Sequence, residues 1–208
     1  MGRVCDVFYD ASLWIYKIMI LNICFLSHVL MGGVIFGFGP AVMVLFHQVK
    51  LWQEGGIDEP IWKPFHKLYK DVFKVYSLRG MFYLLVLAFL RWDIHLSLQI
   101  AHPIALMSTF LILFALYKWL LFGLYYASCE AIEASDLKEG IQKALALTFG
   151  HQKTNFSMTI GLALCFYLVI QMPALILFAA GVMPAYWSMK MTLNTLKKRG
   201  GTLWSENI

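Results

Sequence analysis

At 208 residues the chain is long enough for one ordinary soluble domain, yet 60% of it is hydrophobic and only 14% is charged. Soluble domains average under half apolar and about a quarter charged, and a core of this size cannot hide so much apolar surface from water, so a soluble globular fold is excluded and lipid must cover the remainder. The formal net charge of +5 comes without the basic cluster and interleaved polar residues of a nucleic-acid surface; it suits Lys and Arg facing anionic headgroups.

The N-terminal apolar stretch is longer than a secretory signal core and no small-residue cleavage site follows it. Asp6 stands where a myristoylation signal needs Ser or Thr. A span requires about 20 mostly apolar residues, and the first falls at 18–36, after a polar stretch with Asp6, Asp10 and Lys17. Gly37, Gly39, Pro40 and Ala41 then predict a helix break or hinge, with residues 42–52 continuing as a short helix toward water. The second span is 75–90, closed by Arg91-Trp92-Asp93, and the third is 104–126. The apolar region 156–188 is too long for one span and Gln171-Met172-Pro173 divides it, giving spans at 158–170 and 174–186.

Charge decides the count. Lys50, Lys63, Lys67, Lys70 and Lys74 lie between spans one and two, and Lys118, Lys138, Lys143 and Lys153 are assigned to the connection between three and four. Residues 92–103 carry neither Lys nor Arg, whereas Lys190, Lys197, Lys198 and Arg199 crowd the C-terminal end. The positive-inside rule then places the lysine-bearing loops and the C-terminus in the cytoplasm and the N-terminus outside, which requires an odd number of spans. The expected fold is all-α, a single polytopic membrane domain of about five transmembrane helices.

Two cytoplasmic segments are amphipathic. Over 61–74, Lys63, Lys67, Lys70 and Lys74 form one stripe, with Ile61, Trp62, Phe65, Leu68, Tyr69, Val72 and Phe73 opposite and Pro64 near the start. Over 136–150, Asp136 and Glu139 resemble a helix-start box ahead of an apolar face of Leu137, Ile141, Ala144, Leu145 and Phe149. Both are expected to lie flat on the bilayer, and the lysine stripe is also a candidate partner-docking surface.

Gly33 and Gly37 make a G-x-x-x-G, and Gly32, Gly39, Ser157 and Gly161 offer similar small surfaces for close helix approach. Packing within the chain is the preferred reading, with self-association the alternative. Gly37, Pro40 and Ala41 recur at the spacing of Gly181, Pro184 and Ala185, suggesting two related breaks where a site or hinge would lie. Asn22, Ser27, His28, Ser108, Thr109 and Gln171 are polar within the apolar segments and are read as single helix-to-helix hydrogen bonds. Arg79 is expected to snorkel to the surface, while Arg91, Asp93 and His95 pair locally. Cys5, Cys24, Cys129 and Cys165 lack C-x-x-C spacing and read as free fillers, and the six histidines show no H-E-x-x-H. The Asn155-Phe156-Ser157 sequon falls on the cytoplasmic side and is incidental. No P-loop, G-x-S-x-G or dinucleotide fingerprint is present, so no catalytic, cofactor or metal residue is assigned and no enzymatic activity is expected.

Phe36-Gly37 and Pro40-Ala41 after the first span are followed by Phe46, Trp52 and Glu54-Gly55, then the aromatic, lysine-rich stretch around Phe65, Tyr69 and Phe73, and late in the chain Pro184-Ala185. This order of breaks and spans resembles the YesL family of bacterial integral membrane proteins, a domain of unknown function, over nearly the whole chain. The resemblance implies a plasma-membrane companion of carbohydrate uptake whose partner is the permease of an ABC-type sugar importer. No site residue is established for that family and none is carried over. The alternatives are a transporter or permease subunit in its own right, or a membrane regulator of sugar use. For the former, Glu133-Ala134-Ser135 with Gly140 is similar to the coupling loop of ABC importer permeases, one residue off in spacing and without the downstream Ile-x-Leu-Pro.

Overall fold

A computed structural model describes residues 2–55, 60–100, 102–133 and 136–199, and among these there are helices and connections but no strand. Ala134, Ser135 and Glu206, and the side chains of Cys5, Asp6, Asp10, Lys198 and Arg199, lie outside the described residues. In chain order the helices are α1 (Gly2–Met31), α2 (Ile35–Gln53), α3 (Trp62–Leu98), α4 (Pro103–Ile132), α5 (Leu137–Gly150), α6 (Gln152–Gln171), α7 (Leu175–Phe178) and α8 (Val182–Arg199). Five segments are long and apolar enough to cross a bilayer: Ala11–Met31 within α1, and α2, α3, α4 and α6 entire. The chain is therefore a polytopic helical membrane protein, with the expected number of such helices but a different set of them.

The first difference is at Pro40. The chain reverses earlier, at Gly32–Val34, where Gly33 (φ +75°) and Val34 (φ +54°) adopt left-handed conformations. The helix α2 then runs unbroken through Pro40. Proline has no N–H for the carbonyl four residues back, which is Phe36. The Ser77 hydroxyl of α3 donates to that oxygen at 2.8 Å, replacing the lost bond. A hydroxyl from a neighbouring helix is one of the few ways to satisfy such a carbonyl in an apolar medium, and it explains why the expected break does not form. Near the other end of the α1–α2 hairpin, Trp14 meets Trp52 edge to face at 6.0 Å.

The second difference is in α3. The basic segment 61–74 does not form a separate surface helix; it is the first four turns of a 37-residue helix that continues through the second span. At 1.5 Å per residue α3 is about 55 Å long, well beyond the roughly 30 Å of hydrocarbon. The backbones of α2 and α3 touch where Gly39 meets Gly80: a Cβ on Gly80 would fall 2.5 Å from the Gly39 Cα. Helix α4 then packs back along α3. There the Ser97 hydroxyl bonds Thr109 (2.7 Å) and Ser108 (3.0 Å).

The third difference is late in the chain. Residues 174–186 do not form a span, because after Pro173 only the single turn α7 forms before α8 starts at Val182. Pro184 lies in the first turn of α8, where a missing N–H breaks no helical bond. Pro40 and Pro184 therefore solve different problems, and the repeated spacing does not correspond to two equivalent breaks. Helix α8 runs back along α6, with Trp187 against Gly161 and Thr195 bonded to Thr154.

The principal core gathers Leu21 and Cys24 of α1, Ala41, Val44, Leu45 and Val49 of α2, Phe65 of α3, Ala131 of α4, and Ala185 and Met189 of α8. A second core joins Leu121 and Tyr125 to Ala144, Leu147 and Met158. Outside these cores many large apolar side chains face outward. Phe82, Phe89, Trp92, Phe110 and Leu111 are each more than 60% exposed on the α3–α4 hairpin, the inverse of a soluble surface. In α5 the buried stripe is Gly140, Ala144, Leu147 and Thr148. Of the expected apolar face, Leu137, Leu145 and Phe149 are exposed while Ala144 is buried. The Asp136 side chain makes no cap; Glu139 pairs with Lys143 at 2.8 Å instead.

Candidate functional site

The most concentrated polar chemistry among the described residues sits between α3 and α4. Tyr76 and Arg79 are one turn apart on α3, Tyr126 and Glu130 one turn apart on α4, and the antiparallel pairing of the helices turns these faces together. Arg79 Nη1 donates to Glu130 Oε1 at 3.1 Å and to the Tyr126 hydroxyl at 2.9 Å. The Tyr76 hydroxyl donates to the same Glu130 oxygen at 2.6 Å, and the guanidinium lies 5.0 Å from the Tyr76 ring centroid. The Glu130 side chain is 3% exposed, and its Oε2 is buried without a hydrogen-bond partner. Arg79 thus turns inward to a carboxylate rather than snorkelling. Sequence reading missed Glu130 because it stands one turn beyond the expected end of the third span; the Tyr-x-x-Arg and Tyr-x-x-x-Glu spacings were the available signal.

Lys118 is not in a loop. It lies inside α4, buried, with its ammonium 5.3 to 5.7 Å from the ring centroids of Phe149, Phe114 and Tyr117. It donates to the Thr148 carbonyl at 3.1 Å, and Asn155 Nδ2 donates to the same oxygen at 2.7 Å. Thr148 is in the last turn of α5, where carbonyls lack helical partners and a cation is favoured. The Asn155 Oδ1 accepts from Tyr125 at 2.8 Å, so the sequon asparagine is buried and fully engaged.

Asn22 spans the late break. Its Nδ2 donates to the Ile176 and Leu177 carbonyls (3.0 and 2.7 Å) and its Oδ1 accepts from the Gly181 N–H (2.9 Å). One carboxamide so satisfies three backbone groups of the interrupted segment, more than the single bond expected of it. His28 has a comparable surrounding: its Nδ1 bonds the Cys24 carbonyl (2.7 Å), its Nε2 lies 3.1 Å from His66 Nδ1, and Tyr69 donates to its carbonyl. The two imidazoles, far apart in sequence, are thus adjacent.

The small residues sort by environment. Gly37 packs on the end of α1 beside Gly32, and Gly39 on Gly80. Gly33 meets nothing within 4 Å and serves the turn, so within this chain only the Gly37 end of the G-x-x-x-G makes a close contact. The Ser157 backbone carbonyl accepts from the Trp187 indole at 3.3 Å. Ala41 and Ala185 are both buried in the principal core, while Gly181 is held by Asn22 and Phe25. Lys63, Lys67, Lys70 and Lys74 are all exposed on one side of α3, opposite the buried Phe65 and Tyr69. Of the coupling-loop residues, Glu133 pairs with Lys143 at 2.7 Å. Burial works against the Lys143 ammonium, but its hydrogen bonds to Glu133 and Glu139 outweigh that and hold it above the ordinary lysine range.

Comparison with known proteins agrees with the resemblance drawn from the sequence. Residues 18–94 match a family described as a protein of unknown function, DUF624. Three Bacillus subtilis proteins are similar. Uncharacterized protein YesL is 25% identical over 91 residues, 44% of each chain. Uncharacterized protein YesV is 26% identical over 84% of each chain. Uncharacterized protein YteU is 25% identical over 95% of this chain and 86% of its own. The match thus spans under half of YesL but most of YesV and YteU. No solved structure matches.

Proposed function

Taking a YesL-like membrane protein as the premise, we propose that this chain is a non-enzymatic accessory subunit of a bacterial plasma membrane importer for oligosaccharides of the ABC type. The observation that carries the reading is the likeness itself, which extends through YesV and YteU over most of the chain. Two features support it. The α3–α4 hairpin presents long apolar side chains on its outer sides, suited to lipid and to the helices of a permease alike. The exposed lysine face of α3 offers a cationic docking surface at the membrane boundary.

In this proposal the lysine-bearing end faces the cytoplasm. The Trp14–Trp52 contact sets the start of the apolar part of α1 beside the end of α2, and Thr154–Thr195 sets the end of α8 beside the start of α6. In this proposal the start of α1 and the end of α8 lie on the cytoplasmic side, a different arrangement from the external N-terminus that counting loops predicts. The experiment is purification from native membranes in mild detergent with an affinity tag on this chain. The proposal expects a sugar permease at near-equal stoichiometry; its consistent absence overturns the proposal.

A second reading, a transporter in its own right, draws on the buried Arg79–Glu130 pair, since ionisable groups among membrane helices commonly line transport paths. Sugar flux into liposomes holding this chain alone would establish it in place of the accessory role.

A further inference from the structure

A cavity of about 270 Å³ opens between the last turns of α2 and the first turns of α3. Val44, Leu51, Phe65 and Leu68 supply apolar walls, and His47, Gln48, Lys67 and Asp71 supply the polar ones. Gln48 is only 4% exposed, and its Nε2 is buried with no hydrogen-bond partner. A buried donor left unsatisfied costs about 1 to 3 kcal/mol, so the position is explained by an acceptor that arrives from outside the chain. The described groups around it lean cationic: Lys67 lines the cavity and Lys63 and Lys70 stand exposed on the same helix, Lys50 and Glu54 both act on the lining His47, and Asp71 is the carboxylate in the lining itself. Aromatic rings stand at the same end of α2 and α3 as the cavity, of the kind that marks the headgroup level. Trp14, Trp52 and Tyr186 cluster at 6.0 to 6.1 Å, and Trp62 is exposed at the start of α3, the side chains that collect at the headgroup region.

We propose that this cavity binds the headgroup of an anionic phospholipid bearing free hydroxyls, of the phosphatidylglycerol type. The phosphate oxygens accept from Gln48 and Lys67, the headgroup hydroxyls donate to Asp71, and the upper acyl chain lies along Leu51 and Leu68. Asp71 makes the site selective, because a carboxylate repels bare phosphate but accepts from a polyol. The proposal depends on the chain being a membrane protein and not on the accessory role.

The test is thermal unfolding of the full chain in neutral detergent, titrated with short-chain phosphatidylglycerol, phosphatidylcholine or inorganic phosphate. Phosphatidylglycerol should raise the melting temperature in the wild type. Its apparent affinity should fall about tenfold in Lys67→Gln and in Gln48→Glu, and should be unchanged in Lys74→Gln, which removes an equal charge outside the cavity. Asp71→Asn should weaken phosphatidylglycerol and strengthen inorganic phosphate. Equal losses in Lys67→Gln and Lys74→Gln would show general surface attraction and overturn the site. Stabilisation by inorganic phosphate equal to that by phosphatidylglycerol would overturn the lipid as its occupant. If Gln48→Glu does not fold, Gln48→Leu carries the same expectation.

Discussion

Replacing Ser77 by alanine removes one hydroxyl from α3 and, with it, the side-chain donor to the Phe36 carbonyl, whose i+4 amide Pro40 has eliminated. Ser77 is 7% exposed, so water does not take its place. A buried carbonyl left without a partner costs about 1 to 3 kcal/mol; polar contacts between membrane helices average nearer 0.6 kcal/mol because the unfolded chain also finds partners. A loss of about 1 kcal/mol is therefore expected for Ser77→Ala. The informative measurement is the cycle with Pro40→Ala. Alanine at position 40 restores an N–H facing Phe36, so in that background Ser77→Ala should be close to neutral, leaving a coupling of roughly 1 kcal/mol. Denaturant unfolding in micelles of the wild type, both single variants and the double variant reads it out. An equal cost of Ser77→Ala in both backgrounds would refute the idea that the hydroxyl stands in for the missing amide.

Five further outcomes follow from the same geometry. Arg79→Leu should lose about 3 to 5 kcal/mol by stranding Glu130, and Arg79→Leu with Glu130→Leu should recover most of it; unfolding of the single and double variants checks this. Gly80→Ala should disrupt the α2–α3 contact and lower the melting temperature by many degrees, because its Cβ would sit 2.5 Å from Gly39. Gly33→Ala, whose Cβ meets open space, should lose only the roughly 1 to 2 kcal/mol of a left-handed alanine. Asn22→Leu should release the 172–181 segment, seen as faster hydrogen exchange at the Gly181 amide while α2 and α3 keep their protection. The Lys143 pairs should stabilise α5 fully below the ordinary lysine value of 10.5 and lose that contribution as pH rises through the higher folded value. The effect should stay under about 1 kcal/mol because both carboxylates are more than half exposed, and alkaline unfolding of Lys143→Gln against wild type measures it.

Hydropathy carried the membrane class, because it depends on composition summed over a window of about 20 residues and not on partners; the count of five agrees only because α2 was not read as a span while 174–186 was. What it did not carry depended on partners. Pro40 reads as a break in any single sequence window, and only the arrival of Ser77 from 37 residues away makes the helix continue. Lys118 reads as a loop charge until three aromatic rings and the end of α5 enclose it. The lysine stripe on 61–74 was legible as helical, with its phase correct, yet nothing local to it distinguishes a surface helix from the opening turns of α3. For the candidate site, the Arg79 side was visible and was assigned to the surface, since Glu130 lies on another helix 51 residues on.

The account depends on one long α3 whose lysine face stands on the cytoplasmic side while its far end reaches the opposite surface. In a variant whose native cysteines are replaced, Lys67→Cys and Gln99→Cys introduced separately and treated with a membrane-impermeant maleimide in intact cells test it directly. Position 99 should label at once and position 67 only after permeabilisation. Labelling of position 67 from outside, or of both positions equally, would contradict it.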